Sequence, residues 1–409
     1  MARLDTIRLA LALAAQKGWK VFQLDVKSAF LNGYLQEEIY VDQPEGFEVK
    51  GKEDKVYLLK KALYGLKQAP RAWYSRIDEY FLSIGFTKSL SESTLYVKCL
   101  SSDILIVSLY VDDLLVTGSN NMFVEEFKQD MMIEMTDCGE MDFFLGMEVK
   151  QSEKGIFINQ KKYAKKILKK FQMENCKHVD TPMVQKLKLG KEDGAKKVDE
   201  TDFRSLIGCL MYLTATRPDI MHVVSILSRF IHCAKEVHLQ AAKRVLRYIK
   251  GTLDYGVWFN YNQEFNFHGF SDSDWGGSLD DMKSTSGYCF TFGSGMFSWS
   301  SKKQDIVAQS TAEAEFIVAA AAVNQALWLR KILADLQMTQ AEPTKVFVDN
   351  QAAIAISNNY VFHGKTKHFN IKLYFLREVQ KEGEVLLQYC KTEDQLPDIF
   401  IKDSFKRKI

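Results

Sequence analysis

Residues 104–118 read Ile-Leu-Ile-Val-Ser-Leu-Tyr-Val-Asp-Asp-Leu-Leu-Val-Thr-Gly, and this stretch decides the first half of the fold. The apolar run at 104–111 predicts a buried strand, and the residues after Asp113 predict the strand that returns beside it. An Asp-Asp pair in a turn is by itself typical of solvated turn chemistry. Here Asp112 and Asp113 lie between buried strands, where two like charges are costly without a cation. The hairpin therefore predicts a metal site.

Length and composition bound the class of protein. At 409 residues the chain exceeds what one hydrophobic core usually serves, so we expect two to four domains. Hydrophobic residues make up 46% of it and there are only 6 prolines, which excludes a largely disordered chain. The 54 basic residues are nearly balanced by 52 acidic ones, so net charge alone does not indicate a nucleic-acid binder.

The cysteines and the apolar runs indicate the compartment. The apolar run at 7–15 carries Arg8 and leads directly into Gly18, so it predicts a helix and not a secretory leader. No apolar run has the length needed to cross a bilayer, and we expect no membrane partner. A reducing intracellular compartment fits seven cysteines that lie far apart without a C-x-x-C pair: Cys99, Cys138, Cys176, Cys209, Cys233, Cys289 and Cys390.

Helical patterns follow the first strands. A second buried strand is predicted at 20–26, and helices are predicted at 70–83 and 122–135, which gives a mixed α/β first domain. A basic amphipathic helix is predicted at 160–173, with an apolar face that begins at Tyr163. Its lysines are, taken alone, more typical of a solvated face. They are Lys161, Lys165 and Lys169 on one row and Lys162, Lys166 and Lys170 on the next.

The second half of the chain begins after a polar stretch. Residues 184–201 are glycine-punctuated and aperiodic, which predicts an exposed linker, and residues 203–253 predict two helices. The order of the elements beyond them predicts a mixed sheet flanked by helices. These elements are strands at 265–270, 286–292, 296–300, 345–348 and 385–390, a long helix at 309–336, a short helix at 350–358 and a helical stretch near 395–402.

Four acidic residues occupy related places in this last segment. Asp272 and Asp349 each follow a predicted strand, Glu315 lies on the long helix, and Asp398 lies in the closing segment. Any one of them is more typical of a helix cap. Because the carboxyl ends of neighbouring strands meet at one edge of a sheet, the four together predict a convergent carboxylate site.

Ordered motifs run through the first half of the chain. They read Asp-Val-Lys-Ser-Ala-Phe at 25–30, Leu-Lys-Gln-Ala-Pro-Arg-Ala-Trp-Tyr at 66–74 and Tyr-Val-Asp-Asp at 110–113. In this order they resemble the motifs of reverse transcriptases, most closely those of copia-type retrotransposons. Ile-Tyr-Val-Asp-Gln-Pro-Glu-Gly-Phe at 39–47 and Phe-Leu-Gly-Met-Glu at 144–148 belong to the same pattern. The resemblance implies a right-hand polymerase palm with partial fingers, followed by a thumb and connection region.

The resemblance also implies roles for individual residues. Asp25, Asp112 and Asp113 would hold two Mg²⁺ ions, with Mn²⁺ as the alternative, for two-metal phosphoryl transfer. The bulk of Phe30 would block a ribose 2′-hydroxyl, and Gln68 would pack on the incoming nucleotide. Packing in the core or on a helix face is the structural alternative for both. The residues implied to bind the substrate are Phe30, Gln68 and Tyr110.

Two further elements of the first half resemble nucleic-acid contacts of the same family. The segment Phe144-Leu145-Gly146 resembles the hairpin that holds the primer. The basic helix resembles a thumb helix that follows phosphates, so its lysines would give affinity without sequence choice. The lysines implied in that contact are Lys161, Lys165 and Lys169.

The last segment resembles a ribonuclease H. Ser-Thr-Ser-Gly-Tyr at 284–288 and Lys-Thr-Lys-His at 365–368 match the copia-type version. The resemblance implies an RNase H-like five-stranded mixed sheet that cleaves RNA in an RNA–DNA hybrid with two more Mg²⁺ ions. Of the two glutamates on the long helix, Glu315 fits the family and Glu313 lies on a different helical face. The implied metal ligands are Asp272, Glu315, Asp349 and Asp398.

The resemblance divides the chain into a polymerase palm at 1–150, a thumb and connection region at 151–262 and an RNase H-like domain at 263–409. The chain begins inside the polymerase pattern, so we expect incomplete fingers.

Several positions near the end of the chain depart from the pattern. Asn370 and Tyr374 replace a usual Asp and His, and Pro397 replaces a usual Ala. The segment that begins at Lys402 also departs from the usual Thr-Lys-Pro-Leu. Together with the incomplete fingers, these changes are typical of a truncated or decaying genomic copy.

The implied partners are an RNA template, a DNA primer, an RNA–DNA hybrid and deoxynucleoside triphosphates. The implied location is the cytoplasm, within virus-like particles in this family, with the cDNA destined for the nucleus. The sequence leaves the oligomeric state open. It also leaves two alternatives to the polymerase with RNase H: a catalytically inactive nucleic-acid-binding remnant, and a nuclease whose polymerase half is only structural.

Overall fold

The computed structural model forms two compact units. One comprises Met1–Ile7 and Trp19–Met141, and the other comprises Arg8–Gly18 and Asp142–Ile409. Helix α1 (Leu4–Lys17) ends before Gly18, whose φ of 67° is the left-handed conformation that glycine adopts without strain. The structure describes residues 3–132, 135–185, 187–192, 194–261, 265–293, 295–358 and 370–402, with the side chains of 370–373 left out.

A six-stranded antiparallel sheet forms the centre of the first unit. Its elements are β1 (Val21–Val26), β2 (Tyr40–Val41), β3 (Tyr57–Leu58), α2 (Ala69–Ser83), β4 (Thr87–Lys88), β5 (Leu95–Leu100), β6 (Asp103–Tyr110), β7 (Asp113–Gly118), α3 (Asn121–Met131) and β8 (Met135–Glu140). The sheet order is β4-β5-β6-β7-β1-β8, and β2 pairs with β3 apart from it. This confirms the predicted strands at 20–26 and 104–111 and the hairpin that joins β6 to β7.

Helices α2 and α3 cover one face of this sheet. Trp73, Ile77 and Phe81 recur every fourth residue along α2, so they form one apolar stripe, and Phe123 and Phe127 do the same on α3. All five pack into one core with the buried side chains of β1, β6 and β7. Burial of side chains of this size contributes about 1.5–3 kcal/mol each. The end of the β6–β7 hairpin is therefore held on a rigid base.

The helix predicted at 122–135 was wrong at its end. Helix α3 stops at Met131, and β8 begins at Met135. Strand β8 pairs antiparallel with β1, with Met135 opposite Val26. Strand pairing across the sheet overrides the local helical pattern, which is a weak preference by comparison.

The second unit begins with a small sheet and a helical bundle. Its first elements are β9 (Phe143–Phe144), β10 (Met147–Ser152), β11 (Gly155–Asn159), α4 (Lys161–Lys170), α5 (Glu200–Leu213), α6 (Met221–Ser228), α7 (Glu236–Gly251) and β12 (Gly256–Asn260). The sheet order is β12-β11-β10-β9. Helices α4 to α7 share one core of buried aliphatic and aromatic side chains. The polar linker runs between α4 and α5, as the sequence predicted.

The two helices predicted within 203–253 were wrong in number. The described residues there form three α-helices, α5, α6 and α7, with a short 3₁₀ turn at Pro218–Ile220. Proline at 218 lacks an N–H and restricts the residue before it, so the first helix cannot continue through it.

A five-stranded mixed sheet completes the second unit. Its elements are β13 (Phe267–Ser273), β14 (Thr285–Phe292), β15 (Gly295–Lys303), α8 (Thr311–Asp335), β16 (Thr344–Val348), α9 (Gln351–Asn358), α10 (Asn370–Lys381) and β17 (Val385–Tyr389). The order is β15-β14-β13-β16-β17; β13, β16 and β17 are parallel, and β14 is antiparallel to both neighbours. The predicted mixed five-stranded sheet with flanking helices is confirmed. The closing helical stretch is a pair of 3₁₀ turns, Thr392–Asp394 and Leu396–Phe400.

The sequence-based statement that no apolar run reaches membrane-spanning length was wrong. Helix α8 has 25 residues and is long and apolar enough, by length and composition, to cross a bilayer. Within the structure, however, 61% of its apolar window is buried. It packs on β13 and β14 of the mixed sheet, and a core helix of this kind needs an apolar surface on most of its sides.

Candidate metal centres

Three carboxylates lie together at the end of the first sheet, and we call Asp25, Asp112 and Asp113 the palm triad. Asp25 on β1 is directly opposite Asp113 on β7. Asp112 occupies the turn between β6 and β7, and its carbonyl accepts a 2.8 Å hydrogen bond from the backbone N–H of Val26. The strand register thus brings residues 88 positions apart in the chain to one point.

The turn that carries Asp112 has a strained backbone. Tyr110 pairs with Asp113, so the turn has only two residues, and Val111 adopts a φ of 58°. A β-branched residue in this conformation costs on the order of 1–3 kcal/mol and persists only when its surroundings hold it. The indole N–H of buried Trp73 donates a 2.6 Å hydrogen bond to the Val111 carbonyl. Trp73 therefore braces the turn, a role that the sequence analysis did not identify.

Burial and mutual repulsion raise the pKa of two palm carboxyls. Burial raises the pKa of Asp25, and the charge of Asp112 adds to the effect. Burial also raises the pKa of Asp113, although the Gln23 amide, which donates a 2.9 Å hydrogen bond to it, lowers that pKa. The triad is therefore an acidic site that favours a cation.

A second group of carboxylates lies at the edge of the mixed sheet, and we call Asp272, Glu315, Asp349 and Asp398 the edge cluster. Ligand oxygens of Asp272, Glu315 and Asp349 all lie within 4.8 Å of one another. Ser271 on β13 pairs in parallel with Val348 on β16, so the next residues, Asp272 on β13 and Asp349 just beyond β16, lie side by side at the same level of the sheet. Parallel pairing at the carboxyl ends of these strands explains why the sequence analysis could anticipate this convergence.

The backbone at Ser273 joins two members of the edge cluster. Its N–H lies 2.8 Å from Asp272 Oδ1 and 2.9 Å from Glu315 Oε1, so it donates to both carboxylates. The Thr392 hydroxyl donates a 3.0 Å hydrogen bond to Asp349. These contacts fix the carboxylates that face the shared space.

The closing segment brings Asp398 to the edge cluster. The Gln395 amide donates to the Ser271 carbonyl at 2.9 Å, which ties the segment to β13. A Cβ at Gly287 would lie 2.8 Å from the side chains of Phe400 and Ile401, so only glycine permits this close packing on β14. Pro397 stands in the first turn of its 3₁₀ helix, where a missing N–H costs little.

Glu313 and Glu315 have different surroundings. Glu313 caps helix α8: its N–H bonds to the Ser310 hydroxyl at 3.2 Å, and its carboxylate accepts from the N–H of Gln309 at 2.9 Å. Glu315, by contrast, belongs to the group with Asp272 and Asp349. The structure places Glu315 in the edge cluster, as the sequence analysis expected.

Comparisons with known proteins identify the family of the chain. Residues 1–185 match the family described as reverse transcriptase (RNA-dependent DNA polymerase). The chain is 38% identical over 399 residues to a retrovirus-related Pol polyprotein from transposon RE1 of Arabidopsis thaliana, covering 97% of this chain and 27% of that protein. A putative transposon Ty5-1 protein of Saccharomyces cerevisiae is matched over 100% of its length and 74% of this chain at 33% identity. The chain belongs to the copia-type Pol polyprotein family.

The chain spans only part of the length of its longer relatives. The copia-type chain spans just over a quarter of the RE1 polyprotein and 31% of a second relative, the Pol polyprotein from transposon TNT 1-94 of Nicotiana tabacum, to which it is 38% identical over 98% of its length. Among solved structures, a foamy viral protease-reverse transcriptase in complex with RNA/DNA hybrid covers 98% of this chain and 48% of its own, with 12% identity and a TM-score of 0.49.

The three residues expected to bind the substrate occupy three different elements of the first unit in the copia-type chain. Phe30 belongs to the 3₁₀ turn that follows β1, is half-buried and packs against the ring of Tyr64 at a centroid distance of 5.0 Å. Gln68 stands at the N-cap of α2 without a side-chain capping bond. Tyr110 ends β6, next to the strained turn.

The expected primer-holding hairpin is the turn between β9 and β10. Phe144 is buried, so the half-buried Leu145 and Gly146 are the more accessible part. Both have positive φ, 46° and 77°. The Tyr212 hydroxyl donates a hydrogen bond to the Leu145 carbonyl, and a Cβ at Gly146 would lie 2.2 Å from that hydroxyl. Tyr212 therefore holds this turn, and Gly146 is the residue that lets it approach.

The basic helix is α4, and its lysines have unequal surroundings. Lys161 forms an ion pair with Asp254 at 2.5 Å. Lys165 and Lys169 are exposed, while Ile167 on the opposite face is buried in the bundle. The amphipathic pattern is confirmed, with Lys165 and Lys169 on the exposed side of the helix.

Electrostatics set the edge cluster apart from the palm triad. Burial raises the pKa of Asp272 to about 7, and a hydrogen bond with Asp398 adds to the effect. Burial, followed by the charge of Asp272, raises the pKa of Glu315. Burial and the charge of Asp349 raise the pKa of the nearby Cys390 thiol to about 12. Without a cation, these carboxyls therefore stay protonated at pH values at which exposed carboxyls are ionised.

The donor set of the edge cluster fits a magnesium ion. Mg²⁺ prefers carboxylate oxygens, and this cluster supplies them from four separate elements. Glu315 Oε2 is buried and has no hydrogen-bond partner among the described residues, so it is an unsatisfied acceptor within the group that Glu315 forms with Asp272 and Asp349. A divalent ion held by Asp272, Glu315 and Asp349 would satisfy it.

Some expectations concern residues that the structure leaves undescribed. The segment 365–368 and the side chain of Asn370 lie outside the described residues, as does the chain beyond Lys402. Tyr374 is described and lies on α10, with about half of its surface exposed.

Proposed function

We propose that this chain copies RNA into DNA at the palm triad and cleaves the RNA of an RNA–DNA hybrid at the edge cluster. The observation that carries the proposal is the pairing of Asp25 with Asp113 beside the braced turn of Asp112, in a chain that belongs to the copia-type family. Polymerisation of deoxynucleoside triphosphates at these residues goes beyond family membership and is our inference.

Each residue of the palm triad has a distinct part in the proposed polymerase. Bound magnesium would activate the attacking hydroxyl and neutralise phosphate charge. Asp25 and Asp113 present carboxylates from paired strands, so their separation is set by the sheet and does not change with the substrate. The strained turn, held by Trp73, fixes the backbone of Asp112 next to this pair. Positioning of this kind accounts for much of phosphoryl-transfer catalysis.

Phe30 is the residue that we propose selects the sugar. Its ring is fixed between the core and Tyr64, so it cannot move aside cheaply for an additional hydroxyl. Gln68, at the start of α2, is proposed to pack on the incoming nucleotide. The exposed lysines of α4 are proposed to follow the phosphates of the template and primer, and the Leu145–Gly146 turn to hold the primer end.

The edge cluster is proposed to carry the hydrolysis. Its carboxylates come from β13, α8, the end of β16 and the closing segment, and most of their surface is shielded from water. In such a site, charge interactions are stronger than in bulk solvent, so the carboxylates would hold metal and orient a water for attack on RNA. We propose the division into 1–150, 151–262 and 263–409 for these tasks, and a cytoplasmic place of action.

Two assays on the same preparation test the proposal. The first measures extension of a DNA primer on an RNA template with deoxynucleoside triphosphates and Mg²⁺. The second measures cleavage of the RNA strand in a hybrid, with single-stranded RNA as the control substrate. The proposal expects both activities, and chelation of the metal should abolish both. Binding of primed template and hybrid without either activity would establish the inactive-remnant alternative.

A further inference from the structure

A lysine lies within the edge cluster. Lys402 Nζ is 2.6 Å from Asp398 Oδ1 and 3.5 Å from Asp272 Oδ2, so one ammonium bridges two of the four carboxylates. Asp272 is almost completely buried, whereas 42% of the Lys402 side chain is exposed. The lysine therefore reaches into the cluster from the solvent side.

The position of Lys402 is fixed by the backbone around it. Its N–H donates a 2.9 Å hydrogen bond to the Asp398 carbonyl. The preceding Ile401 is buried, and the Ser301 hydroxyl holds the Phe400 carbonyl at 2.7 Å. Hydrogen bonds and the burial of Ile401 anchor this stretch of backbone. The Lys402 side chain is therefore held near the cluster, unlike a lysine on a solvated face.

Charge compensation gives this contact a consequence. The edge cluster concentrates four carboxyl groups, and a buried group of like charges needs a cation or protons. An ammonium bound to Asp272 and Asp398 supplies one positive charge at the place where a divalent ion would supply two. The candidate metal group of Asp272, Glu315 and Asp349 shares Asp272 with this contact, so the two cations compete for that carboxylate.

We propose that the Lys402 ammonium is a built-in occupant of the edge cluster, which holds Asp272 and Asp398 together without metal and which a divalent ion must displace. This inference rests on the proposed metal centre and adds that Lys402 sets its affinity. Removal of the ammonium should therefore strengthen Mg²⁺ binding and weaken the metal-free fold. Both effects have the same origin, because the contact that is lost exists only before the metal binds.

The experiment compares Mg²⁺ binding and thermal unfolding of the full chain for the wild type and Lys402→Met, at one fixed pH. Isothermal titration measures affinity, and Asp272→Asn defines the binding that arises at other sites. We expect Lys402→Met to bind Mg²⁺ about fivefold more tightly, which corresponds to about 1 kcal/mol. In chelator, the unfolding temperature of Lys402→Met should be lower than that of the wild type. Addition of Mg²⁺ should raise the unfolding temperature of the variant by more than it raises that of the wild type.

Two matched variants separate charge from side-chain bulk. Lys303→Met removes a lysine of the same unit that pairs at 2.8 Å with Asp281, which is not a member of the edge cluster, and it should leave Mg²⁺ affinity unchanged. Lys402→Arg keeps the positive charge and should not show the fivefold gain. Lys402→Gln repeats the test if the methionine variant does not fold.

The outcomes distinguish this inference from the metal centre on which it rests. If the wild type and Lys402→Met bind Mg²⁺ equally and more tightly than Asp272→Asn, the metal centre stands and the role of Lys402 is refuted. If neither exceeds Asp272→Asn, the metal centre fails and the inference fails with it. A weaker affinity in Lys402→Met would show that the lysine supports the metal, which also overturns the proposal.

Discussion

The palm triad and the edge cluster gather carboxylates in different ways. In the palm triad, antiparallel pairing places Asp25 opposite Asp113, and Asp112 occupies the adjoining two-residue turn. The edge cluster draws on two parallel strands, one helix and a closing segment, and it buries Asp272 and Glu315 almost completely. The palm triad is assembled within one sheet and stays partly exposed, whereas the edge cluster needs a sheet, a helix and a closing segment.

This difference determines how strongly the carboxyls of each site destabilise the folded chain in the absence of metal. In the palm triad the carboxyls remain partly exposed, so water screens their repulsion. In the edge cluster burial raises the pKa of Asp272 to about 7 and also raises that of Glu315. At the edge cluster, metal binding and protonation should therefore change the stability of the fold strongly. At the palm triad, they should change it only weakly.

The largest expected effect separates the two sites by activity. Asp112→Asn should lower primer extension by at least about a hundredfold and leave hybrid cleavage intact, because a metal ligand is lost at one centre only. Asp272→Asn should do the reverse. Rates of both reactions, measured for both variants with circular dichroism as a folding control, test this. Loss of both activities in either variant would show that the sites are not independent.

The next effect concerns stability and pH. The folded-state pKa of Asp272, about 7, lies above its unfolded value of 3.8. The resulting stability is fully present below about pH 4 and is lost as pH rises through 7, by a few kcal/mol. The unfolding temperature of the wild type, measured in chelator, should therefore fall from pH 4 to pH 8. The same series for Asp272→Asn measures the contribution of all other groups, and the fall that is due to Asp272 is the difference between the two series.

Two controls sharpen this pH experiment. Asp305→Asn, which changes an exposed carboxylate of the same unit, should keep the wild-type slope. Saturating Mg²⁺ should flatten the slope, since the ion favours the ionised carboxylates. An Asp272→Asn protein with the full wild-type slope would mean that the burial of this carboxyl is not what couples stability to pH.

A smaller effect is expected at Phe30, which we propose selects the sugar. Phe30→Ala should lower the preference for deoxynucleotides over ribonucleotides by about tenfold, because the bulk beside the 2′ position is removed. The ratio of kcat/KM for the two nucleotides measures it. Phe30→Tyr retains the ring and should keep the preference. An unchanged ratio in Phe30→Ala would leave core packing as the only role of this residue.

The smallest effect is expected at the turn held by Tyr212. Tyr212→Phe removes the hydroxyl that bonds to the Leu145 carbonyl, a contact worth about 1 kcal/mol. We expect the KM for the primer to rise about fivefold with little change in kcat and none in hybrid cleavage. Tyr389→Phe, at an exposed tyrosine of the same unit, is the control. Equal KM values in both variants would exclude a positioning role for Tyr212.

Much of the fold could be predicted because its signals are local. The apolar runs of β1, β6 and β7 and the alternation of strands and helices after residue 265 predicted the central strands of both large sheets. The strands that were not predicted are β2, β3, β4, β5, β8, β9, β10, β11 and β12. Strands β8 and β12 pair with partners far away in the chain, and the two-residue strands leave no periodicity to detect.

The candidate sites divide in the same way. The acidic residues could be named from the sequence because strand ends and motif order locate them. Trp73, Tyr212 and Lys402 could not be assigned their contacts, since each acts on a residue tens of positions away or through an anchored backbone. Their sequence signal was no more than an aromatic or basic residue in a helix or near the end of the chain.

Anomalous diffraction from crystals of the chain grown with Mn²⁺ tests the central claim most directly. Two separate carboxylate centres predict manganese peaks at coordination distance from the palm triad and from Asp272, Glu315 and Asp349, with the second set absent in Asp272→Asn. Manganese bound elsewhere, with both sets of carboxylates empty, would contradict the account.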